Sequence, residues 1–269
     1  MYSGDHMARI MSFVIVVFLL IPIVAPLLGQ FILNFYDWRG IFYVQCGFAL
    51  LVSAWFWKRQ PETLAVEKRI PFSMTLIFNG FKEIIRHRQT MGYTYISGFV
   101  VGSFMVYLSS SQHIFQEQYD LKEEFPLIFA GLAIAIGSAI FLNGRLVLRF
   151  GMARLTHWAI FGYFGISLLY VIMFFHGNNP PVEVLLTFFA LQFFCIGFIF
   201  GNLRALAMDP VGHIAGIAAA ITGLISTLMA VPISTLIGRF VTDSSLPLFI
   251  GFLVCSILSI GILLLIRKR

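Results

Sequence analysis

Tyr93, Ser97, Phe104, Tyr107 and Ser111 follow one another at intervals of 4, 7, 3 and 4 residues. At about 100° per residue they share one face of a helix. Ring faces and hydroxyls on one stripe suit a cavity wall that binds amphipathic solutes. They suit interhelical hydrogen bonds equally well. Gly98, Gly102 and Ser109 fall roughly opposite and leave room for a neighbouring helix to approach closely. Phe188, Gln192 and Ile199 repeat the arrangement in a weaker, less aromatic form, with Gly197 and Gly201 roughly opposite. A mid-helix amide such as Gln192 is costly to leave in apolar surroundings without a partner, so it should face a polar cavity or another helix. Cavity lining is the preferred reading. Gly212 and Gly216 offer a third close-approach pair, which packing alone would explain.

Bond-making chemistry has little to work with. No Asp, Glu, Lys or Arg lies well inside an apolar stretch, so no proton-relay carboxylate is visible in the sequence. All six histidines sit at or beyond the ends of those stretches, leaving neither a metal site nor a histidine-based hydrolase to assemble. Cys46, Cys195 and Cys255 are inside apolar runs without ligand-like spacing and read as small buried side chains. An enzyme is therefore not expected, nor is a cofactor or a metal. Pro22, Pro26 and Gly29, at spacings of 4 and 3, share a face of the first apolar run and should bend it.

The elements that position these residues follow from composition. Of 269 residues 59% are apolar and only 11% charged, with a mean hydropathy of +0.91. A soluble globular domain is about a quarter charged, so this chain lacks the polar surface to cover itself in water. The apolar runs are continuous rather than alternating, which excludes a β-barrel. The expectation is an all-α polytopic membrane protein with eight transmembrane helices near 11–33, 40–57, 91–111, 125–143, 157–175, 183–203, 214–236 and 247–266. The first run is too long for a signal peptide and has no cleavage site after it, so it should stay in the mature chain. The formal charge is +6 and the pI about 9.4, yet fifteen of the eighteen Lys and Arg fall on one side of this alternation. Only Arg39, Lys122 and Arg239 fall on the other, beside Glu117, Asp120, Glu123 and Glu124. The basic residues thus report topology rather than a nucleic-acid partner, and both termini should be cytoplasmic. Residues 58–90 form a charged, basic linker holding a short amphipathic run from Phe72 to Arg88, which suits either an interfacial helix on anionic headgroups or an ordinary solvated loop.

Several motifs carry a family resemblance: Ala-Arg-Ile-Met-Ser at 8–12, Pro-Ile-Val-Ala-Pro-Leu-Leu-Gly at 22–29 and Trp-Arg-Gly-Ile-Phe at 38–42. Together they resemble the fifth span of a drug:proton antiporter of the major facilitator superfamily, and more narrowly its bicyclomycin-resistance branch. Pro61-Glu62-Thr63-Leu64 fits the exit of the next span in that family. Gln30 stands where a second glycine of the antiporter motif is common. Gly144-Arg145-Leu146-Val147, continued by Arg149, Gly151 and Arg154, resembles the degenerate second copy of the superfamily's cytoplasmic gating loop, without its acidic residue. Asn202 to Ala220 resembles the connection between the tenth and eleventh spans.

The resemblance implies a partial major facilitator fold matching spans five to twelve. Residues 1–57 would end the N-terminal half, 58–90 would join the halves, and 91–269 would form the C-terminal six-helix bundle. The first four spans, with the principal proton-binding acid, then precede the matched region. It also implies multidrug efflux across a bacterial inner membrane, with amphipathic small-molecule drugs as partners, the proton gradient as energy source and a monomer as the full-length form. Tyr107, Gln192 and neighbouring aromatics would line one wall of a midplane site between two rocking halves. Pro22, Pro26 and Gly29 would lie at the interface between halves. Gly144, Arg145, Arg149 and Gly151 would form the gating loop, unless the arginines serve only as positive-inside anchors. The competing expectation is a non-transporting membrane protein, a decayed gene product or a partner subunit lacking the proton-coupling helices.

Overall fold

In a bilayer every backbone N–H and C=O must be satisfied within the chain, so long apolar runs of this composition form helices. The computed structural model describes residues 24–25, 28–62 and 73–267, which fold into helices and short connections. The helices are α1 (Trp38–Arg59), α2 (Met74–Arg86), α3 (Arg88–Gln112), α4 (Phe125–Phe150), α5 (Met152–Met173), α6 (Val182–Met208), α7 (Ala215–Gly238) and α8 (Leu246–Arg267). All but α2 have 22 to 27 residues. At about 1.5 Å per residue each can cross a hydrocarbon core of about 30 Å. These seven coincide with seven of the eight expected spans. Most of the first expected span, with Pro22 and Pro26, lies outside the described residues; Gly29 is helical, and a β-carbon there would meet nothing within 4 Å.

Packing centres on α3, which lies against α7, α8 and α6, while α6 also packs on α4 and α5, and α5 on α8. Lipid tails are as apolar as Leu, so van der Waals fit must hold these helices together. The glycines show where the fit is tightest. A β-carbon at Gly102 would lie 3.1 Å from the Ala230 α-carbon and 3.0 Å from Ile233, and one at Gly98 would lie 3.0 Å from Met229. One at Gly197 would sit 2.5 Å from the Ile136 carbonyl oxygen and 2.6 Å from the Ala139 β-carbon. Gly201, Gly212 and Gly216 have open space instead, so only part of the small-residue pattern marks contact. Helix α1 stands apart, with Gly40 its one buried residue.

Two connections differ from the sequence expectation. The segment expected as a gating loop is mostly helical: Gly144, Arg145 and Arg149 occupy the last turns of α4, and Gly151 alone makes the junction to α5 at φ +80°. A side chain there would be strained, which is why glycine fits. At the other end of the bundle, α3 widens into a π-helical turn, His113–Gln118. That turn is tied to two further loops. His113 Nδ1 lies 2.8 Å from Glu117 Oε2 and Nε2 lies 2.7 Å from the Thr242 carbonyl. Gln118 donates to the same carbonyl at 2.9 Å, Asn179 donates to Gln118, and Asn179 Oδ1 accepts from the Ser245 backbone N–H at 2.9 Å.

Both partners of the His113 ring are acceptors, and a neutral imidazole has one N–H to give. The arrangement is complete only when the ring is doubly protonated. The His113 pKa is accordingly raised, first by the Thr242 carbonyl, with Glu117 and Asp243 adding and desolvation opposing.

Two predictions follow from this packing. Gly197→Val should cost about 1–3 kcal/mol by overpacking, whereas Gly201→Val should change thermal stability in detergent by less than about 0.5 kcal/mol. Equal losses in the two variants would refute the α4–α6 assignment. For His113 the folded-state pKa lies above the ordinary value of 6.5, so its stabilisation is complete below that value and fades as pH rises through the raised one. Thermal unfolding midpoints from about pH 6 to about pH 9 should fall more steeply in the parent than in His113→Gln. Parallel profiles would show that the ring carries no such linkage.

Candidate substrate pathway

Along α3 the polar and aromatic groups occur at three levels. Nearest its N-terminal end a partly open cavity of about 100 Å³ is lined by α3, α6 and α7. Its polar lining is Thr94, Ser97, Arg204, Thr222, Ser226 and Thr227. Four of these hydroxyls already donate to helix carbonyls: Thr94 to Thr90, Thr222 to Ala218, Ser226 to Thr94 and Thr227 to Gly223. What they retain for an occupant is acceptor lone pairs, while Arg204 supplies donors only. The volume suits a few waters or one small polar group rather than a drug-sized molecule.

The second level is a buried hydrogen-bond chain joining three helices. Gln192 Nε2 donates to Ser167 Oγ at 2.7 Å and to the Tyr163 carbonyl at 3.3 Å. Tyr163 donates to Ser103 Oγ at 2.8 Å, and Ser103 donates to the Val100 carbonyl. Gln192 is fully buried, and its Oε1 has no hydrogen-bond partner. The amide therefore makes the interhelical bonds with its nitrogen and leaves its oxygen available.

The third level is aromatic. Tyr107 sits among Phe193, Phe189, Phe129 and Phe104 with ring centroids 4.5, 5.2, 6.1 and 6.2 Å away. The tyrosine is 2% exposed and its hydroxyl has no partner. A buried Tyr hydroxyl usually finds one, and leaving it unpaired costs about 1–3 kcal/mol. The cage thus holds one unspent hydrogen-bonding group inside an aromatic wall.

The expected site residues separate accordingly. Phe104 and Tyr107 meet in the cage, and Ser97 lines the small cavity. Tyr93 and Ile199 are buried in the core, and Ser111 returns its hydroxyl to the Leu108 carbonyl. Phe188 belongs to a different aromatic group with Tyr170, Phe174 and Phe249. Gln192 faces α5 through its bonds to Ser167 and Tyr163. Thr222, Ser226 and Thr227 went unnoticed in the sequence, although the interval of 4 between Thr222 and Ser226 puts those two on one face of α7. Phe129, Phe189 and Phe193 were missed because in a chain with 30 phenylalanines no single one stands out.

The α4 and α6 ends hold a second polar contact. Asn143 and Asn202 exchange amide hydrogen bonds in both directions, at 3.1 and 2.8 Å. Nearby, the Arg145 guanidinium lies 4.8 Å over the Phe141 ring and that of Arg149 5.3 Å over Phe150. Neither arginine has a carboxylate partner among the described residues. Among those residues no group of three or more His, Cys, Asp or Glu is placed to hold a metal ion.

Known proteins give this helical assembly a context. The chain is 25% identical over 277 residues to a bicyclomycin resistance protein homolog of Haemophilus influenzae, a match covering 97% of this chain and 65% of the relative. It is 28% identical over 243 residues to the uncharacterized MFS-type transporter YdgK of Bacillus subtilis, covering 88% and 59%. It is 23% identical over 268 residues to the multidrug resistance protein MdtL of Klebsiella pneumoniae, covering 96% and 64%. The chain therefore spans roughly three-fifths of the length of these relatives. The family model described as Major Facilitator Superfamily matches residues 1–233. With helices that can cross a bilayer and a family match over most of its length, this multi-pass membrane chain belongs to the Major Facilitator Superfamily.

Proposed function

We propose that this chain acts in a multidrug efflux transporter, supplying one wall of the path by which amphipathic compounds leave the cell in exchange for protons. The observation that carries the reading is the Tyr107 cage, where a buried hydroxyl without a partner stands inside four phenylalanines. A solute with an aromatic or aliphatic body and one polar group would stack on the rings and pair the hydroxyl, recovering the free energy that the unpaired hydroxyl forgoes. The Gln192 Oε1 offers a second acceptor on α6. Relatives named as bicyclomycin, chloramphenicol and multidrug resistance proteins support amphipathic small molecules as the substrate class.

Transport in this reading uses no cofactor, and a proton gradient supplies the energy. The described helices α3–α8 hold no mid-helix carboxylate, so the proton-binding acid implied by the family resemblance would belong to the spans that precede the matched region in the relatives. In this reading both termini are cytoplasmic, which the excess of Lys and Arg on one side supports, so the cavity at Ser97 and Arg204 would lie toward that side and the His113 network toward the outside. Arg145 and Arg149, at the α4 end, then lie at the cytoplasmic surface, as the gating-loop resemblance requires.

The deciding experiment expresses the locus with its native upstream reading frame in a drug-sensitive host. It measures growth inhibition by bicyclomycin, chloramphenicol and a panel of amphipathic compounds, with efflux followed in membrane vesicles before and after the proton gradient is collapsed. Gradient-dependent efflux is expected; its absence for every compound supports the non-transporting alternative. Tyr107→Phe should lower resistance several-fold for some compounds while leaving stability unchanged or raising it by up to about 1 kcal/mol, because the change removes an unpaired buried hydroxyl. A destabilised variant with unaltered resistance would make Tyr107 a packing residue. Gln192→Leu should shift the drug spectrum and cost about 0.6–1.7 kcal/mol through the lost bond to Ser167. An unshifted spectrum would remove Gln192 from the pathway.

A further inference from the structure

Helix α2 carries three separate faces. At about 100° per residue, Met74, Phe78, Phe81 and Ile85, spaced 4, 3 and 4 apart, fall within an arc of about 60°. All four are exposed, at 71%, 67%, 39% and 46%. The docked face lies about 90–130° to one side. There Ile84 is fully buried, and a β-carbon at Gly80 would come within 2.9 Å of Ile217 on α7. Lys82 and Arg86 are exposed and lie about 70–110° to the other side of the stripe. Glu83 points roughly opposite the stripe and pairs with His213 Nε2 at 2.8 Å.

This arrangement fixes the helix in one orientation. The bundle holds one flank through Gly80 and Ile84, and the Glu83–His213 pair occupies the back. The apolar stripe is exposed to 39–71%, with the two cations on the flank away from the bundle. Arg88, at the start of α3, donates to the Leu265 carbonyl at 2.7 Å, which ties this end of α3 to the C-terminal end of α8.

We infer that α2 is a lateral anchor that binds an anionic lipid surface, its Met74–Phe78–Phe81–Ile85 stripe inserted among acyl chains and Lys82 and Arg86 set against headgroup phosphates. An amphipathic helix of this type sinks about 5–10 Å into the headgroup boundary, and each basic residue at a negatively charged surface adds about 1 kcal/mol. The two basic side chains flank the stripe at the angle that keeps their ammonium and guanidinium groups at headgroup level while the four apolar side chains are immersed. Charge complementarity selects anionic lipid over a neutral bilayer. The inference rests on membrane embedding and is independent of what, if anything, the chain transports.

The test uses the whole chain reconstituted in vesicles, with Cys46, Cys195 and Cys255 replaced by alanine and a nitroxide label attached through Phe78→Cys, Ile85→Cys or Glu83→Cys in turn. Collision with oxygen should dominate for the labels at 78 and 85, and collision with a water-soluble nickel complex for the label at 83. Replacing phosphatidylcholine with a mixture containing one-third phosphatidylglycerol should deepen the labels at 78 and 85, and Lys82→Gln with Arg86→Gln should abolish that deepening. The thermal midpoint of each labelled protein serves as the folding check, and a label that unfolds the chain is replaced by one at Met74→Cys. Nickel access at 78 and 85 would overturn the inference by placing the stripe in water. Shielding from both reagents would overturn it by showing another protein segment on the stripe. Equal depth in the two lipid mixtures would overturn the selection for anionic headgroups.

Discussion

The close approach of α3 to α7 at Gly98 and Gly102 is the contact on which the rest of the bundle depends. In hydrocarbon there is no water to expel, so two helices stay together only where their surfaces fit well enough for dispersion to outweigh contacts with lipid. Glycine removes the side chain that would hold the backbones apart, and Met229, Ala230 and Ile233 take the space. Once α7 occupies that face, α6 and α8 take other parts of the α3 circumference, and the remaining stripe of α3 turns inward. The ladder of polar and aromatic groups from Ser97 to Tyr107 is therefore a consequence of where the glycines are.

The same solvent explains how the interior spends its polar groups. Ser and Thr return their hydroxyl protons to the preceding turn of their own helix, as Thr94, Ser103, Ser167 and Thr222 do. Gln192 and Tyr163 instead bond across helices and join α6, α5 and α3. Such bonds are worth only about 0.6 kcal/mol each on average, so their main effect is to fix the rotation of each helix. Against this background of satisfied groups the Tyr107 hydroxyl and the Gln192 oxygen are exceptions.

Charge is arranged by the boundary rather than by the core. The basic residues of α2 and of the ends of α4 and α6 gather at one end, where Arg145 and Arg149 spread over rings and Lys82 and Arg86 reach outward. At the opposite end His113, Gln118, Asn179 and Thr242 tie three loops together through hydrogen bonds. One end is thus shaped to meet a charged surface, while the other is closed by directional contacts, one of which depends on a proton.

The sequence alone determined the solvent, the helices and their number within the described region, because hydrophobic runs of about 20 residues have one stable form in a bilayer. It also showed the amphipathic run that becomes α2, since a 3.6-residue period needs no tertiary information. Its motifs carried the family. What it left open was rotation and reach. Seven of the helices are apolar all round, so periodicity could not say which face of α6 met which neighbour, and Gln192 turned to α5 while Phe193 turned to Tyr107. The length of α4 was hidden because Gly144, Arg145 and Arg149 look like loop residues, yet snorkelling and ring contacts let them continue the helix to Phe150. Which glycines are contacts, and which hydroxyl is left unpaired, depend on distances between helices, and only the packed bundle sets those.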